Sequence, residues 1–341
     1  MESRALSSQK AKSVSNSSSQ ANGMSKTLSI PIATALFGIA MFTAMFPFGT
    51  QEAASVAINQ LTVGTPIVIL TDRSISESSG LVRSHLIPNC HWTHNDSGDA
   101  PLLYLFNDKG DTIARVRLSQ AAAIDWEDMT IYRKSDTEAF LIVGDIGGNS
   151  QKRSSITLYI VHEPKLATVQ NGSQTTEISL DLESKMEVTF PGGVTNYESI
   201  AFDHSNQSIL IIEKGVFGGR AYTVPFPLPG QAKVRVEAKQ VGIVPVSTAT
   251  SCDISLDGRS LVVLTYKIGF LFHRELNSAG VLESWKEVFE KEPLPFSLGN
   301  LRQTEAVCFS QKELSVLVSS EMLPTPIVEI KLPTSPQAIE K

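Results

Sequence analysis

From residue 58 onward the chain reads as short apolar runs parted by clusters of Gly, Pro, Asn, Asp and Ser, and nowhere demands a helix longer than a turn or two. The runs 80–83, 90–94, 102–106 and 112–118 read as four successive strands, and Asn107-Asp-Lys-Gly110 supplies the polar turn of a hairpin between the last two. The same reading gives strands at 127–132, 139–144, 156–161 and within 176–190. It then gives 198–202, 208–213, 220–225 and 233–241. A fourth set covers 253–256, 260–265, 268–273 and 285–290, with Asp257-Gly258 as a hairpin turn. The fifth set has three strands only, 305–309, 314–319 and 326–331.

Each set opens on a carboxylate followed by a short apolar strand: Glu77-Ser-Ser-Gly-Leu81, Asp125-Trp-Glu127-Asp-Met129, Tyr197-Glu198-Ser-Ile-Ala201, Cys252-Asp253-Ile-Ser255 and Thr304-Glu305-Ala-Val307. The acids are spaced by 50, 71, 55 and 52 residues. A supersecondary unit recurring at about 40–50 residues predicts a propeller or solenoid. The fold class is therefore all-β, a β-propeller of five blades spanning 58–332. The β-rich run 60–70 is a strand without a set of its own, and the last set lacks its outer strand. The N-terminal strand then closes the ring and removes free sheet edges. Six blades is the alternative, because the 71-residue repeat leaves room for a degenerate blade in 163–195.

The remaining 57 residues change the picture of where the protein works. Residues 5–25 are rich in Ser, Gln, Asn and Lys, with nothing to bury, which reads as disorder. Leu28 to Phe48 is an uncharged apolar run after Lys26, and Ser55-Val-Ala57 offers small residues for cleavage. This is the pattern of a secretory signal, with Met24 an alternative initiator. An uncleaved membrane anchor over 28–48 is the competing reading. Either way the propeller is expected outside the cytoplasm, periplasmic or extracellular, and the tail 333–341 is expected to be loose.

Charge narrows the partners. The net charge is −6, and residues 1–57 hold four bases and two acids, which leaves −8 for the remainder. No basic stripe marks a nucleic-acid partner. Three cysteines, Cys90, Cys252 and Cys308, leave at least one unpaired; buried apolar thiols are the reading taken, with a Cys252–Cys308 disulfide the other. No Cys/His zinc spacing, GxSxG elbow or Walker loop is present.

In a propeller the start of each innermost strand and the end of the next strand share one channel mouth. Glu77, Glu127, Glu198, Asp253 and Glu305 are therefore expected to form a ring there. The loops His94-Asn-Asp96-Ser-Gly-Asp99 and Asp145-Ile-Gly-Gly-Asn149, and the ends Glu213-Lys214, Tyr266-Lys267 and Ser319-Ser-Glu321, are expected beside it. Crowded carboxylates do not all stay ionised without compensation. Hard oxygen ligands without sulfur favour Ca²⁺. The candidate metal ligands are Glu77, Asp96, Glu127, Asp145, Glu198, Asp253 and Glu305. Asn95, Asp99, Asn149, Arg153 and Lys214 are candidate ligand-binding residues. Glu127 and His94 are candidate catalytic groups for activating water. The competing reading makes the acids acceptors for backbone amides of neighbouring blades, locking the ring. Trp126 and Tyr197 read as packing wedges, with stacking surfaces the alternative.

At these residues the chain resembles a set of exported bacterial β-propeller proteins of uncharacterised function. The shared runs are Glu77-Ser-Ser-Gly-Leu81, Trp92-Thr-His-Asn-Asp-Ser-Gly-Asp99, Asp125-Trp-Glu-Asp128 and Gly144-Asp-Ile-Gly-Gly-Asn149. More loosely it is similar to esterase-like phytase and gluconolactonase-type propellers, whose channel-mouth acids hold a divalent cation. That likeness implies a metal-binding role for Glu77, while the gluconolactonase asparagine and aspartate ligands have no counterpart here. Three functions are carried forward: a Ca²⁺-dependent ester or phosphoester hydrolase, a non-enzymatic module for a small molecule or protein, and a glycosidase using paired carboxylates.

Overall fold

The ring closes on itself. In the computed structural model, which describes residues 65–148, 153–166, 175–226, 232–311 and 314–334, β1 (Thr65–Ile69) runs antiparallel to the last strand of the chain, with Thr65 opposite Glu329 and Ile69 opposite Pro326. The predicted N-terminal closure is present, and it gives the fifth blade the outer strand that its own repeat lacks. Residues 1–64 and 335–341, including the leader, the apolar run and most of the tail, lie outside the described residues, as does Asn149.

Short polar turns permit only antiparallel hairpins between successive runs, so each blade is a meander. Blade 1 holds β2 (Ser78–Arg83), β3 (Cys90–Asn95), β4 (Leu102–Asn107) and β5 (Thr112–Leu118). Gly110 ends the predicted β4–β5 turn with φ +85°, a conformation that favours glycine. Blade 2 starts with β6 (Trp126–Ser135), β7 (Glu138–Asp145) and β8 (Ile156–His162).

The long second repeat is explained by strands that change blade, and it hides no sixth one. β9 (Thr176–Leu180) lies parallel to β5 on the outer edge of blade 1, and β10 (Ser184–Thr189) is the fourth strand of blade 2. The same step recurs one blade on. β11 (Tyr197–Asp203), β12 (Ser208–Glu213) and β13 (Gly219–Pro225) build blade 3. The expected single strand 233–241 is two: β14 (Lys233–Glu237) joins β10 in parallel, and β15 (Lys239–Val244) completes blade 3. Buried Ala238 is the pivot between them.

Blade 4 consists of β16 (Ser251–Ile254), β17 (Ser260–Leu264), β18 (Ile268–His273) and β19 (Leu294–Ser297). Residues 285–290, expected as its outer strand, form instead the short helix α1 (Trp285–Phe289). Ser284 and Glu287 make a capping box at its start, and Trp285, Val288 and Phe289 bury the spacing of one helical face. Blade 5 is β20 (Thr304–Phe309), β21 (Ser315–Ser320), β22 (Pro326–Lys331) and β1.

The inner strands β2, β6, β11, β16 and β20 touch in that closed order. Between blades lie apolar layers; Trp92, Trp126, Met129 and Tyr159 belong to the layer joining blades 1 and 2. Trp92 and Trp126 are fully buried, and burial of about 200 Å² each is worth about 5 kcal/mol apiece before entropy. All three cysteines are free and buried, matching the apolar-thiol reading. Among the described residues, no helix is long and apolar enough to cross a membrane.

Candidate functional site

A β-bulge at the start of the inner strand sets the site. Pairing steps from Trp126–Asp145 to Asp128–Gly144 in blade 2, from Tyr197–Glu213 to Ser199–Ile212 in blade 3, and from Thr304–Ser320 to Ala306–Ser319 in blade 5. The residue left over is Glu127, Glu198 or Glu305. A bulge frees one residue from the ladder and re-aims its side chain. All three carboxylates are buried at one mouth of the channel.

Blades 1 and 4 break the pattern. The bulge of blade 1, between the pairs Ser78–Asn95 and Gly80–His94, holds Ser79, whose hydroxyl donates to the Glu127 carbonyl. Glu77, two residues earlier, is exposed. It stands outside the bulge position but beside the mouth, where its carbonyl accepts the Asp96 N–H at 2.9 Å and its charge is felt by Glu321. Blade 4 has no bulge, since Ser251 faces Leu264 and Cys252 faces Val263 in unbroken register. Thr250 enters there and donates its hydroxyl to the Thr304 carbonyl at 2.8 Å. Asp253 lies farther along the strand and accepts the N–H groups of Ile254 (2.9 Å) and Phe309 (2.8 Å). It locks blade 4 to blade 5 and is absent from the acidic mouth.

Two residues join the mouth that the repeat had not marked as ligands. Asp125 lies two residues before Glu127, and Glu321 follows β21. Asp96, Asp125 and Glu127 each place one carboxylate oxygen within 4.8 Å of the others, and so do Asp96, Glu305 and Glu321. Asp96 belongs to both groups. Gly147 forms the floor beneath the first, for a Cβ there would fall on Glu127 Oε1 and Asp125 Oδ2. Its N–H donates to the Asp125 carbonyl at 3.2 Å. Gly148 donates to Asn196 Oδ1 and Asn196 Nδ2 to Glu198 Oε1, both at 2.7 Å, so the loop after β7 also orients the acid of blade 3.

Burial and mutual repulsion raise the carboxyl pKa values here. Burial first, then the charges of Glu198, Asp96, Asp125 and Glu305, pushes Glu127 far above the usual range. Burial, followed by Glu321, raises Glu305. Asp96, half-buried, is lifted to about 7, mainly by burial. Glu198 is also raised by burial, although Lys214 Nζ at 2.8 Å opposes the rise. Burial works against the Lys214 ammonium too, yet Glu198 outweighs it and holds its pKa above the ordinary value. Lys214 also donates to the Tyr266 hydroxyl at 2.8 Å. One acid is left over: Glu127 Oε1 is buried and has no hydrogen-bond partner among the described residues.

The other expected site residues have different work. His94 does not reach the mouth. It is fully buried, edge-on to Trp126 at 5.5 Å, and a Cβ on Gly80 would strike its ring. Strand alternation sends His94 and Trp92 into the layer between blades, and burial lowers the imidazole pKa to about 4. Asp145 is held by Arg153 at 2.7 Å and accepts the Asp125 N–H at 3.2 Å, so both it and Arg153 brace the loop. Asn95 accepts the N–H groups of Ser76 and Glu77, each at 3.1 Å, and donates to Asp99 at 2.7 Å, pinning the first turn. Trp126 and Tyr197 are buried and pack, the latter stacked on Phe190.

No protein-family model and no curated protein matches the chain. Among solved structures it is similar to a Thermus thermophilus protein assigned as an oxidoreductase (glucose dehydrogenase), at 9% identity and TM-score 0.42, covering 80% of this chain and 100% of that one. It is similar to hydrazine synthase of Kuenenia stuttgartiensis, at 10% identity and TM-score 0.38, covering 73% of this chain and 56% of that one. Raptor of Chaetomium thermophilum matches at 15% identity and TM-score 0.35, over 80% of this chain and 21% of that one. The chain thus spans just over half of the hydrazine synthase chain and a fifth of Raptor. The propeller assignment rests on the five sheets and their closure.

Proposed function

We propose that the acidic mouth binds a divalent cation, Ca²⁺ in the first place, and that the protein is an exported propeller presenting this ion to an oxygen-rich ligand. The observation that carries the reading is Glu127 Oε1, a buried acceptor without a partner, grouped with oxygens of Asp96 and Asp125. An unpartnered buried carboxylate oxygen is costly, and a cation above Gly147 would satisfy it. The donor set fits: it is all carboxylate oxygen, with no imidazole or thiolate in either group. Asp96, Asp125 and Glu127 would hold the ion, with Glu305 and Glu321 as the adjoining pair. Export is supported by the apolar run 28–48 and its flanks. The resemblance to exported bacterial propellers through the Trp92–Asp99 and Asp125–Asp128 runs agrees with it.

Hydrolysis of an ester or phosphoester is the second reading, and its support is narrower. When bound, the cation would supply Lewis acidity toward a substrate oxygen. Glu127 would offer Oε1 as the acceptor for a water proton, while Asn196 and Lys214 keep Glu198 in place beside it. His94 takes no part.

The test is calorimetric titration of chelator-stripped full-length protein with CaCl₂ and with MgCl₂, repeated on Glu127→Gln. Saturable Ca²⁺ binding that is lost in the variant is the expected result. Absence of binding in the parent protein refutes the reading. Turnover of p-nitrophenyl acetate or phosphate that needs both Ca²⁺ and Glu127 is the result required by the hydrolase.

A further inference from the structure

At the other ends of the inner strands the channel opens into a second cavity of about 660 Å³. Its lining includes Arg83 at the end of β2, Arg133 near the end of β6, and His204 just after β11. Val82, Ile131, Phe202, Leu271 and Phe309 make much of the remaining wall apolar.

The polar groups left over at this cavity are donors. Nε of Arg83 and Nε of Arg133 are buried with no acceptor among the described residues, and neither guanidinium has an ion-pair partner there. His204 Nε2 accepts the Arg133 backbone N–H at 3.1 Å. The Asp253 carboxylate accepts one backbone N–H on each oxygen and feels the charge of Arg133 without forming an ion pair with it. Asp257 accepts from Ser255 at 2.6 Å and from the Arg259 N–H at 3.0 Å. Burial, and then the charge of Arg133, lowers the pKa of Arg83, so the two cations repel each other across the cavity.

Two guanidinium groups beside an apolar wall, each with a buried Nε–H that meets no acceptor among the described residues, present donors to an acceptor-rich ligand. We infer that this second mouth is a binding site for a small organic anion, a carboxylate or phosphate monoester carrying an apolar body, held by Arg83 and Arg133. The anion bonds the guanidinium groups, and its body lies against Phe202, Phe309 and Leu271. The site is independent of whether the acidic mouth holds a cation. The buried polar atoms left without partners differ, a carboxylate oxygen at one mouth and guanidinium Nε–H groups at the other, and the inner-strand residues Asp128 and Thr130 are buried.

Calorimetry on the full-length protein in chelator tests it, with phenyl phosphate, benzoate, inorganic phosphate and neutral benzyl alcohol as probes. Phenyl phosphate or benzoate should bind at least about tenfold more tightly than benzyl alcohol and than inorganic phosphate, a difference of about 1.4 kcal/mol. Arg83→Gln and Arg133→Gln should each weaken that binding by about tenfold or more. Unfolding midpoints without anion should be unchanged or raised, because an unpaired repelling cation has been removed. Equal binding of the neutral probe, absence of binding at millimolar concentration, or undiminished binding in both variants would overturn the proposal. Inorganic phosphate matching phenyl phosphate would overturn the organic ligand. A midpoint lowered in both variants, without loss of anion affinity, would assign the arginines to packing.

Discussion

Asp128 Oδ2 accepts the backbone N–H of Ile200 at 3.0 Å, so a side chain of one blade terminates the backbone of the next. The same carboxylate takes the N–H groups of Met129 (2.9 Å) and Cys252 (3.4 Å), reaching from blade 2 to blade 4. Glu127, one residue earlier, has a buried oxygen with no such partner. Two consecutive acids are therefore placed for opposite jobs. Asp128 locks blades together, and Glu127 is left for the cation proposed above.

Asp128→Ala leaves three buried N–H groups without their acceptor. At about 1–3 kcal/mol for each, the loss is at least about 3 kcal/mol. Urea denaturation should show it as a lowered midpoint with unchanged slope, in Ca²⁺ and in chelator alike.

Glu127→Gln should behave the other way in chelator. It keeps the shape of a side chain that burial, and then the neighbouring acids, already favour in the neutral form. Stability in chelator should be unchanged or slightly raised, by no more than about 2–4 °C in the midpoint. A variant clearly less stable than its parent in chelator would place Glu127 with Asp128 as a lock between blades.

Gly147→Ala separates floor from ligands. Its methyl group would fall on Glu127 and Asp125 without altering any charge. Stability in chelator should drop, and Ca²⁺ should no longer restore it, as followed by near-UV circular dichroism during heating.

Without cation, stability should fall as pH rises. Asp96 and Glu305 have raised folded pKa values, with Asp96 at about 7, so the folded protein holds protons that the unfolded chain releases. Their contribution is complete below the unfolded carboxyl range and is lost as pH climbs through the folded values. A chelated sample should thus melt lower at pH 8 than at pH 5.5. Ca²⁺ should flatten or reverse that slope, because its binding requires the ionised forms. Denaturation midpoints across pH 5–8.5, with and without Ca²⁺, check the sign.

The strand pattern was legible because alternation and Gly-bearing turns are local signals; Asn107–Gly110 and Asp257-Gly258 sit where the hairpins turn. The parallel additions of β9 to β5 and of β14 to β10 join segments far apart in sequence and leave no local mark. The helix at Trp285 did leave one, since Ser284 and Glu287 have capping-box spacing. At the site the decisive feature was the bulge. A motif reader aligns Glu77 and Asp253 with Glu127 because each precedes an apolar strand. The backbone places Ser79 at the blade 1 bulge and gives blade 4 no bulge at all. His94 and Asp96 differ by two positions in sequence, but β3 ends between them, and only Asp96 escapes the layer between blades.

A cation shared by the acids of one mouth is tested by the thermal midpoint of full-length protein against Ca²⁺ concentration at pH 7.5. A ligand held only by the folded state raises the midpoint steadily with its concentration. Such a rise is expected for the parent protein and none for Glu127→Gln. A parent midpoint indifferent to Ca²⁺ from micromolar to ten-millimolar levels would contradict it, and the acids would stand as proton-sharing structure at the mouth of the ring.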